Sequence, residues 1–396
     1  MLRKKYGSVS EERMGMFQPD VPQNAFWINA VSIGEVQSAF PLIEAMKKES
    51  DSPCVLSTAT ATGRTMAERL LRHKADAMIY SPWDVPRFVR RALDALAPKA
   101  YIAMETERWP VILTELRARK IPAFLVNGRL SARSAKKLRF QGKLWRGVLC
   151  CFDRLMVRYE SDKEGFLSLG VPSEKIIVTG DCKIDAIVKR KNDIPTGKWG
   201  FLRKNGNALF LAGSTHEGEE KFALEAFSQT RQAHPNARLV IVPRHPERAA
   251  EVVRTARPYG KTALLSELVP DWEIAVVDKV GVLFELYSAA DAAFIGGSLT
   301  ARGGQNLMEP AAFGLQTTHG PYMRNFPDTA RMDELGAAHT VEYPGQLAEK
   351  WLRALEPDAK IRSREACAKY FEPIGGGTPR SWEIIKECLK DRPKTI

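Results

Sequence analysis

The sequence predicts an α/β protein made of two doubly wound domains. Short apolar runs alternate with amphipathic stretches along most of the 396 residues, a rhythm typical of βαβ units with parallel strands. The rhythm lapses over 189–198, where polar residues, Pro195 and Gly197 indicate an interdomain linker. We therefore predict two domains of similar size with a cleft between them, and ligands bound at the carboxyl ends of the strands.

Seven apolar runs carry this prediction. In chain order the predicted strands are 25–31, 54–58, 100–104, 123–127, 208–212, 237–242 and 291–295. The first is followed by a turn and by a helix that reaches Lys48. The predicted domain boundaries are 1–190, 191–375 and, for a C-terminal helix expected to pack back on the first domain, 376–396.

Positive charge is concentrated in the first half of the chain. Residues 1–190 contain 32 Lys and Arg against 21 Asp and Glu, a net charge of +11, whereas the remainder carries +1. Such a surface favours phospholipid headgroups, a phosphorylated lipid or nucleic acid as partner, and the alternative is a solvated basic surface with no partner. Because no RNA- or DNA-binding motif accompanies the charge, we predict no nucleic-acid partner.

Missing motifs disfavour several other classes. No run approaches the roughly 18 to 20 apolar residues of a membrane-spanning helix, and no apolar segment follows the basic N-terminus as it does in a signal peptide. The six cysteines form no CxxC pair and the six histidines no HExxH motif, so we predict neither a metal site nor a disulfide framework, and a cytoplasmic location. The GxxxxGK(S/T) and GxSxG motifs are also absent.

Glu35 is the first candidate site residue. Gly34 lets the chain turn out of the first strand, and Glu35 then falls near the start of a helix, where the helix dipole stabilises a carboxylate. Two roles fit equally well from the residues alone. Glu35 either takes a proton from an attacking hydroxyl or simply caps the helix.

A second acidic motif, Glu105-Thr106-Glu107, follows the strand 100–104. In an extended chain the alternation of side chains places Glu105 and Glu107 on the same side, which suggests acid–base chemistry or the binding of hydroxyl groups. Ion pairing with Arg129 and Arg133 is an equally good reading.

Two further motifs lie in the second half. Gly213-Ser214-Thr215 is predicted to open a helix whose free N–H groups and hydroxyls bind phosphate, with a plain helix cap as the alternative. Glycines at 296–297 and 303–304 permit close approach of the backbone to a ligand, and Glu309 is placed to bind ribose hydroxyls. The basic and apolar stretch 136–146 is predicted either to lie on a membrane surface or to pack on the sheet.

Taken together and in this order, the motifs resemble the Kdo (3-deoxy-D-manno-oct-2-ulosonic acid) transferase family of lipopolysaccharide biosynthesis. The resemblance runs from about residue 13 to about residue 339. Its specificity comes from the joint order and spacing of the motifs rather than from any single one. They lie at 29–35, 58–63, 80–84, 104–110, 127–131, 180–185, 213–219, 243–246, 303–312, 320–321 and 325–326.

The resemblance implies a GT-B glycosyltransferase that inverts the anomeric centre and needs neither metal nor cofactor. It implies transfer of Kdo from CMP-Kdo to the 6′-hydroxyl of a tetra-acylated lipid A precursor, on the anionic cytoplasmic face of the bacterial inner membrane. Domain 1–190 would bind the acceptor and domain 191–375 the donor. The basic half of the chain would then face the phosphorylated acceptor and the membrane.

Residue roles follow from the same resemblance. Glu35 is expected to be the base, and Glu105 belongs to the second acidic motif of the family. Expected donor-binding residues are Gly213, Ser214, Thr215, Arg244, Lys183, Gly304, Asn306 and Glu309. Expected acceptor-binding residues are Ser32, Gly34, Arg129 and Ser131.

Three departures from the family pattern stand out. Asn29 replaces the usual His, and Asp181 stands before Cys182-Lys183 where the family typically has Asn. The usual apolar anchor is not seen ahead of the basic stretch, so membrane attachment is expected to rest on basic and interfacial residues. The alternatives are a GT-B transferase that uses a UDP- or ADP-sugar, and a non-catalytic protein that binds anionic lipid.

Overall fold

The computed structural model describes residues 9–140 and 142–391, apart from the side chains of 132, 133, 139, 204 and 205. The ends of the predicted first and last segments, 1–8 and 392–396, therefore lie outside the described residues. The chain divides into two compact units. Unit 1 comprises Met1–Ala186 and Ile374–Ile396, and unit 2 comprises Ile187–Pro373.

Unit 1 contains a seven-stranded sheet in which all strands are parallel, in the order β3-β2-β1-β4-β5-β6-β7. Its strands are β1 (Phe26–Asn29), β2 (Cys54–Thr58), β3 (Ala77–Tyr80), β4 (Ala100–Met104), β5 (Ala123–Gly128), β6 (Arg154–Val157) and β7 (Ile176–Val178). Its helices are α1 (Ile33–Glu49), α2 (Ala61–Leu71), α3 (Pro86–Leu96), α4 (Pro110–Ala118), α5 (Ala132–Arg139), α6 (Gly142–Leu149), α7 (Glu160–Ser168) and the first part of α8 (Cys182–Asn192).

Both faces of this sheet are buried, which is why its strands are continuous apolar runs. Trp27 points into one core, where its ring lies 4.9 Å from that of Tyr101. Phe26 and Ile28 point into the core on the other face. The strand order reverses between β1 and β4, which is the point where doubly wound sheets open a crevice for ligands.

Unit 2 repeats the architecture with a second seven-stranded parallel sheet, in the order β10-β11-β9-β8-β12-β13-β14. Its strands are β8 (Leu209–Thr215), β9 (Arg238–Pro243), β10 (Thr262–Leu264), β11 (Ile274–Val276), β12 (Ala292–Ile295), β13 (Gln316–His319) and β14 (Ala338–Thr340). Its helices are the rest of α8, α9 (Glu219–Ala233), α10 (Ala249–Ala256), α11 (Leu283–Leu286), α12 (Met308–Ala312), α13 (Thr329–Glu334), α14 (Pro344–Arg353) and α15 (Pro357–Phe371).

The segment predicted to be a linker differs from the prediction. Helix α8 continues to Asn192, so the first four residues of 189–198 are helical and the two units divide inside this helix. The sequence did not predict this end of the helix because its last turn, with Lys189, Arg190 and Lys191, shows no apolar periodicity.

The chain returns to unit 1 through α16 (Gly377–Lys390). Trp382 of this helix packs edge-on against Phe26 of β1, with ring centroids 5.6 Å apart. Its indole N–H donates to Glu49 at the end of α1 over 3.1 Å. This helix therefore completes the core on one face of the first sheet.

The basic stretch 136–146 contains parts of two helices. It is divided between α5 and α6, on either side of residue 141. Leu138 and Trp145 pack against the core, while Phe140 is 95% exposed and Leu144 is 58% exposed. Across residues 9–140 and 142–391, no helix combines the length and the apolar character that crossing a bilayer requires.

Candidate active site

Glu35 lies at the switch point of the first sheet. Ser32 ends the turn after β1 and begins helix α1, and Glu35 stands three residues further on, in the first turn. Its Oε2 accepts hydrogen bonds from the N–H groups of Val31, at 2.5 Å, and Ser32, at 3.2 Å. Glu35 therefore does cap the helix, as one of the two interpretations predicted, but the cap occupies only one of its two carboxylate oxygens.

Two more carboxylates approach Glu35 from the end of β4. Burial and the negative charges of Glu107 and Glu105 raise the pKa of Glu35 to about 8. Glu107 is hydrogen-bonded to Glu35, and its pKa is also raised, chiefly by burial. Its Oε2 accepts a further hydrogen bond from the Trp109 indole N–H at 2.5 Å. Glu35 and Glu107 therefore form a pair of carboxyl groups that holds a proton near neutral pH.

Glu105 has a different environment from Glu107. Its Oε1 lies 2.6 Å from the Lys183 Nζ and accepts a hydrogen bond from the Ser38 hydroxyl at 2.8 Å. Burial acts to raise the pKa of Glu105, but Lys183 and Ser38, with Arg158 nearby, hold that pKa below its ordinary value. The site thus combines an ionised carboxylate with a pair that shares a proton, an arrangement suited to proton transfer.

The geometry of Glu105 corrects the prediction of an extended chain. Its φ is +52°, in the left-handed region, so the backbone turns at this residue. Glu105 and Glu107 consequently have separate partners, Lys183 and Glu35. The predicted ion pair with Arg129 is not observed, since Glu105 pairs with Lys183, and the side chain of Arg133 lies outside the described part of the chain.

The four predicted acceptor residues differ in how they contact this cluster of carboxylates. Ser32 and Gly34 belong to the turn that carries Glu35, and a Cβ on Gly34 would lie 3.7 Å from the Lys183 Nζ. The N–H of Arg129 donates to the carbonyl of Glu105 at 3.1 Å, and the Arg129 side chain is exposed. Ser131 is exposed and caps α5, where its hydroxyl accepts from the Ser134 N–H.

The structure corrects the predicted phosphate site of unit 2. Strand β8 runs through Ser214 and Thr215, and helix α9 begins only at Glu219, after Gly218. The carboxylate of Glu219 accepts backbone hydrogen bonds at 2.6–2.9 Å from four N–H groups, those of His216, Gly297, Ser298 and Leu299. One amide group of the segment expected to bind phosphate, that of His216, is therefore already bound by a side chain, as are three amide groups of the loop after β12.

Basic side chains lie beside the backbone N–H groups that Glu219 binds. The ring of His216 lies 5.9 Å from that of His245. Its pKa is lowered by burial and by the positive charges of Arg302 and Arg244. Arg244 and Arg302 are both exposed, so an anion can reach them. His216, His245 and Arg302 were not singled out from the sequence, although 213–219 and 243–246 were noted as motifs.

The glycine-rich loop of unit 2 packs closely against side chains of the same unit. Gly304 has a φ of +75°, and a Cβ there would lie 2.1 Å from the Met323 sulfur, so a side chain does not fit. Asn306 is exposed, and its Oδ1 accepts from the Met308 N–H at the start of α12. Glu309 is not free. Its carboxylate lies 3.4 Å from Arg190, which opposes the rise in its pKa caused by burial.

Comparison with known proteins identifies the family. Residues 9–186 match the family described as 3-deoxy-D-manno-octulosonic-acid transferase (kdotransferase). A 3-deoxy-D-manno-octulosonic acid transferase from Haemophilus influenzae is 32% identical over 384 residues, which are 93% of this chain and 88% of that protein. One from Bordetella pertussis is 31% identical over 92% of this chain and 87% of that protein. The chain belongs to the Kdo transferase family.

The same comparison supports the predicted fold and class. UDP-GlcNAc 2-epimerase from Neisseria meningitidis, solved with UDP-GlcNAc bound, superposes with a TM-score of 0.63 over 93% of this chain and 100% of that one. At 16% identity this likeness concerns the fold alone. The predicted GT-B fold class, the Kdo transferase family and the general class of glycosyltransferase are confirmed.

Proposed function

We propose that this Kdo transferase is an inverting enzyme that transfers Kdo from CMP-Kdo to the 6′-hydroxyl of a tetra-acylated lipid A precursor, with Glu35 as the base. The observation that carries the proposal is the position of Glu35. It lies at the switch point of its sheet, with a pKa of about 8 and one oxygen not used by the helix cap. A base works best when its pKa is near the working pH.

The transfer follows in one displacement. The ionised Glu35 carboxylate accepts the proton of the acceptor hydroxyl while the hydroxyl oxygen forms a bond to the anomeric carbon of Kdo. The bond from that carbon to the phosphate oxygen of CMP breaks, and CMP leaves with the bonding electrons. Attack on the face opposite the leaving group inverts the anomeric configuration.

The neighbours of Glu35 divide the supporting roles. Glu107 shares a proton with Glu35 and so sets the pH at which the base becomes ionised. Glu105 binds Lys183, whose Nζ would lie at an ordinary contact distance of 3.7 Å from a Cβ on Gly34 at the helix start. We assign Lys183 to this cluster as a cation that positions Glu105 and interacts with the charge on the leaving phosphate.

For the donor we assign the CMP phosphate to Arg244 and Arg302, with His216 beside them. Gly213, Ser214 and Thr215 form the strand end that holds this basic group, and Gly304, Asn306 and Glu309 form the loop and helix start assigned to the ribose. The leaving group carries a single phosphate, so fixed cations suffice to stabilise it without a divalent metal.

For the acceptor we assign the basic surface of unit 1. Arg129 and Ser131 follow β5 beside the turn of Glu105 and are proposed to bind phosphate and hydroxyl groups of the lipid. Phe140 and Leu144 stand exposed among Lys136, Lys137 and Lys143, a combination suited to the surface of the anionic inner membrane.

A transfer assay read by mass spectrometry tests the proposal. It contains the protein, freshly prepared CMP-Kdo, tetra-acylated lipid A precursor in detergent, and EDTA. We expect a product heavier by one or more Kdo units with the unchanged protein, and none with Glu35→Gln. Glu160→Gln, which alters an exposed acid in the first turn of α7, is the matched control and should retain full activity.

The outcomes separate the alternatives. Unchanged activity of Glu35→Gln would disprove the role of this residue as base. Activity only after a divalent metal is restored would contradict metal independence. Product from a UDP- or ADP-sugar in a donor competition would point to another transferase, and binding of the lipid precursor without turnover of any donor would point to a non-catalytic protein.

The membrane proposal has its own measurement. Phe140→Ser with Leu144→Ser should weaken sedimentation with vesicles of anionic phospholipid by roughly tenfold, because two apolar side chains no longer enter the interface. The matched control replaces Val280 and Val269, which are exposed in unit 2, by Ser. Equal loss in both double variants would show that the α5–α6 surface has no special part in membrane binding.

A further inference from the structure

Unit 2 contains a cavity that has no part in the proposed reaction. Its volume is about 330 Å³, within the size range of sites for small molecules. Gln316, the first residue of β13, lines it, together with residues of α14 and α15. It therefore lies at the amino-terminal edge of the sheet, whereas the residues assigned to the donor follow the carboxyl ends of β8, β9 and β12.

The charges around this cavity are unbalanced. Four basic side chains and one acidic one line it, a net charge of +3, and they are Lys350, Arg353, Arg362, Lys369 and Glu365. Among the carboxylates of residues 9–140 and 142–391, none lies within the 4.0 Å of an ion pair with any of the four. Cations that line one cavity repel one another, so a bound anion would lower the energy of the group.

His339, in the middle of β14, lines the cavity, and its pKa reflects the positive charges nearby. Its pKa is lowered to about 4 by burial and by the positive charges of Lys350 and Arg353, with a smaller contribution from His319. Asp333 acts in the opposite direction and does not cancel these effects. At neutral pH the ring is therefore an uncharged group that is free to donate a hydrogen bond to an anion or accept one from it.

An adjoining cavity of about 190 Å³ provides an internal comparison. It shares Gln316, Ala359 and Ser363 with the first cavity. Its Asp291 is bound by Arg203 at 2.6 Å and by Lys360 at 2.8 Å. Two of its three basic residues thus already contact a carboxylate of the chain, although its lining still has a net charge of +2. The first cavity, with a net charge of +3, is the more positive of the two.

We propose that the cavity lined by Lys350, Arg353, Arg362 and Lys369 binds a phosphate-bearing anion with two or more negative charges. Several cations around one concave site suit such a group better than a single carboxylate, because each phosphate offers several acceptor oxygens. Either a free phosphorylated small molecule or the headgroup of an anionic lipid has this chemistry. The site is independent of the proposed transfer reaction.

Inorganic pyrophosphate is the first probe, titrated into the full chain at constant ionic strength. Calorimetry measures the affinity, and the ring signals of His339, assigned with His339→Asn, locate the site by NMR. A bound anion offsets Lys350 and Arg353, so we expect the pKa of His339 to rise by one pH unit or more. Binding that leaves the His339 signals unchanged at saturation would place pyrophosphate elsewhere, and it overturns the proposal unless phosphatidylglycerol vesicles shift those signals.

Charge-matched variants complete the test. Lys350→Gln with Arg353→Gln should weaken pyrophosphate binding at least tenfold. Lys279→Gln with Arg257→Gln removes the same charge from exposed positions of unit 2 and should change the affinity less than twofold. Equal weakening in both double variants would indicate attraction to net charge only and contradict a built site.

Vesicles distinguish the source of the phosphate. A shift of the His339 signals with pyrophosphate in the absence of lipid assigns a free phosphorylated molecule. A shift with phosphatidylglycerol vesicles, none with phosphatidylcholine vesicles and none with pyrophosphate assigns a lipid headgroup. No shift with any of the three overturns the proposal.

Discussion

Glu35 and Glu219 occupy corresponding positions in the two units. Each lies in the first turn of the helix that follows the first strand of its sheet, and each of those strands borders the point where the strand order reverses. Both side chains are buried, with exposed fractions of 6% and 1%. They differ in their partners. Glu219 accepts hydrogen bonds from four backbone N–H groups, whereas Glu35 accepts two and faces two further carboxylates.

The difference shows that the environment, rather than the motif, separates a structural acid from a chemical one. In unit 2 the four donors satisfy the Glu219 carboxylate fully and use it to hold the glycine-rich loop. In unit 1 the donors are too few to offset burial and like charge, so the Glu35–Glu107 pair retains a proton. A buried carboxyl group poised to change its protonation state is suited to catalysis.

The largest expected effect is on turnover in the Glu35→Gln variant. Gln keeps an oxygen to cap α1 but accepts no proton, so kcat should fall by roughly 10²- to 10⁴-fold, the usual contribution of a general base. Steady-state transfer assays measure this fall, and circular dichroism checks that the helices remain. A fall of less than tenfold would mean that Glu35 mainly caps the helix, as Glu219 does in its own unit.

The second effect is on stability in the Glu219→Gln variant. The amide group of Gln has only one acceptor oxygen, so two buried N–H groups lose their partner. We expect the free energy of unfolding to fall by about 2–4 kcal/mol, measured by urea denaturation. Glu217→Gln, at an exposed neighbouring position, should change it by less than about 0.5 kcal/mol. Equal stability of the two variants would show that the four hydrogen bonds contribute little.

The third effect is a gain in stability in the Glu35→Gln variant at high pH, opposite to the loss expected for Glu219→Gln. The pKa of Glu35 is raised in the folded protein, from 4.5 to about 8, so the folded state keeps a proton that the unfolded chain loses. The contribution of this group to stability therefore falls as the pH rises through that window. Glu35→Gln lacks this loss and should be more stable than the unchanged protein at pH 9, by about 1–3 kcal/mol.

Urea denaturation at pH 5, 7 and 9 tests this third prediction. The advantage of Glu35→Gln should be much smaller at pH 5, because that pH lies close to the unfolded pKa of 4.5 and little of the proton-linked stability of Glu35 has been lost there. An advantage that does not vary with pH would mean that Glu35 titrates normally. Glu160→Gln is again the matched control, because it removes an exposed acid from a first helical turn.

Much of the fold could be predicted because its signals are local. The runs 54–58 and 100–104 coincide with strands β2 and β4, and the others deviate by up to three residues at an end. Buried parallel strands are continuous apolar runs, so periodicity and length found these seven. Seven further strands of three or four residues each were not predicted, namely β3, β6, β7, β10, β11, β13 and β14. The two polar motifs after β1 and β4 also meet at one point, as the topology of a parallel sheet requires.

The partners within the site could not be predicted, because they depend on turns and on distant residues. Glu105 has a left-handed backbone conformation, which the residue type Glu does not predict. Because the chain turns there, Glu105 contacts Lys183 whereas Glu107 contacts Glu35. Lys183 reaches Glu105 from the other end of the unit 1 sequence. In unit 2, Glu219 accepts hydrogen bonds from backbone N–H groups at 298–299, about 80 residues away in sequence. No local sequence pattern could predict that this carboxylate, rather than a phosphate, binds those N–H groups.

The smallest effect concerns Glu107, the residue that distinguishes the environment of Glu35 from that of Glu219. If Glu35 is the base, kcat/KM should rise with pH and level off above about 8, following the ionised fraction of Glu35. Burial remains in Glu107→Gln, but one negative charge is lost and the Gln amide gains a hydrogen to donate to the Glu35 carboxylate. Both changes lower the pKa of Glu35, so the rising limb should move to lower pH by about one unit. A limb that stays in place would show that Glu107 does not set the ionisation of Glu35, and the contrast between the two units would then rest on burial and on the charge of Glu105.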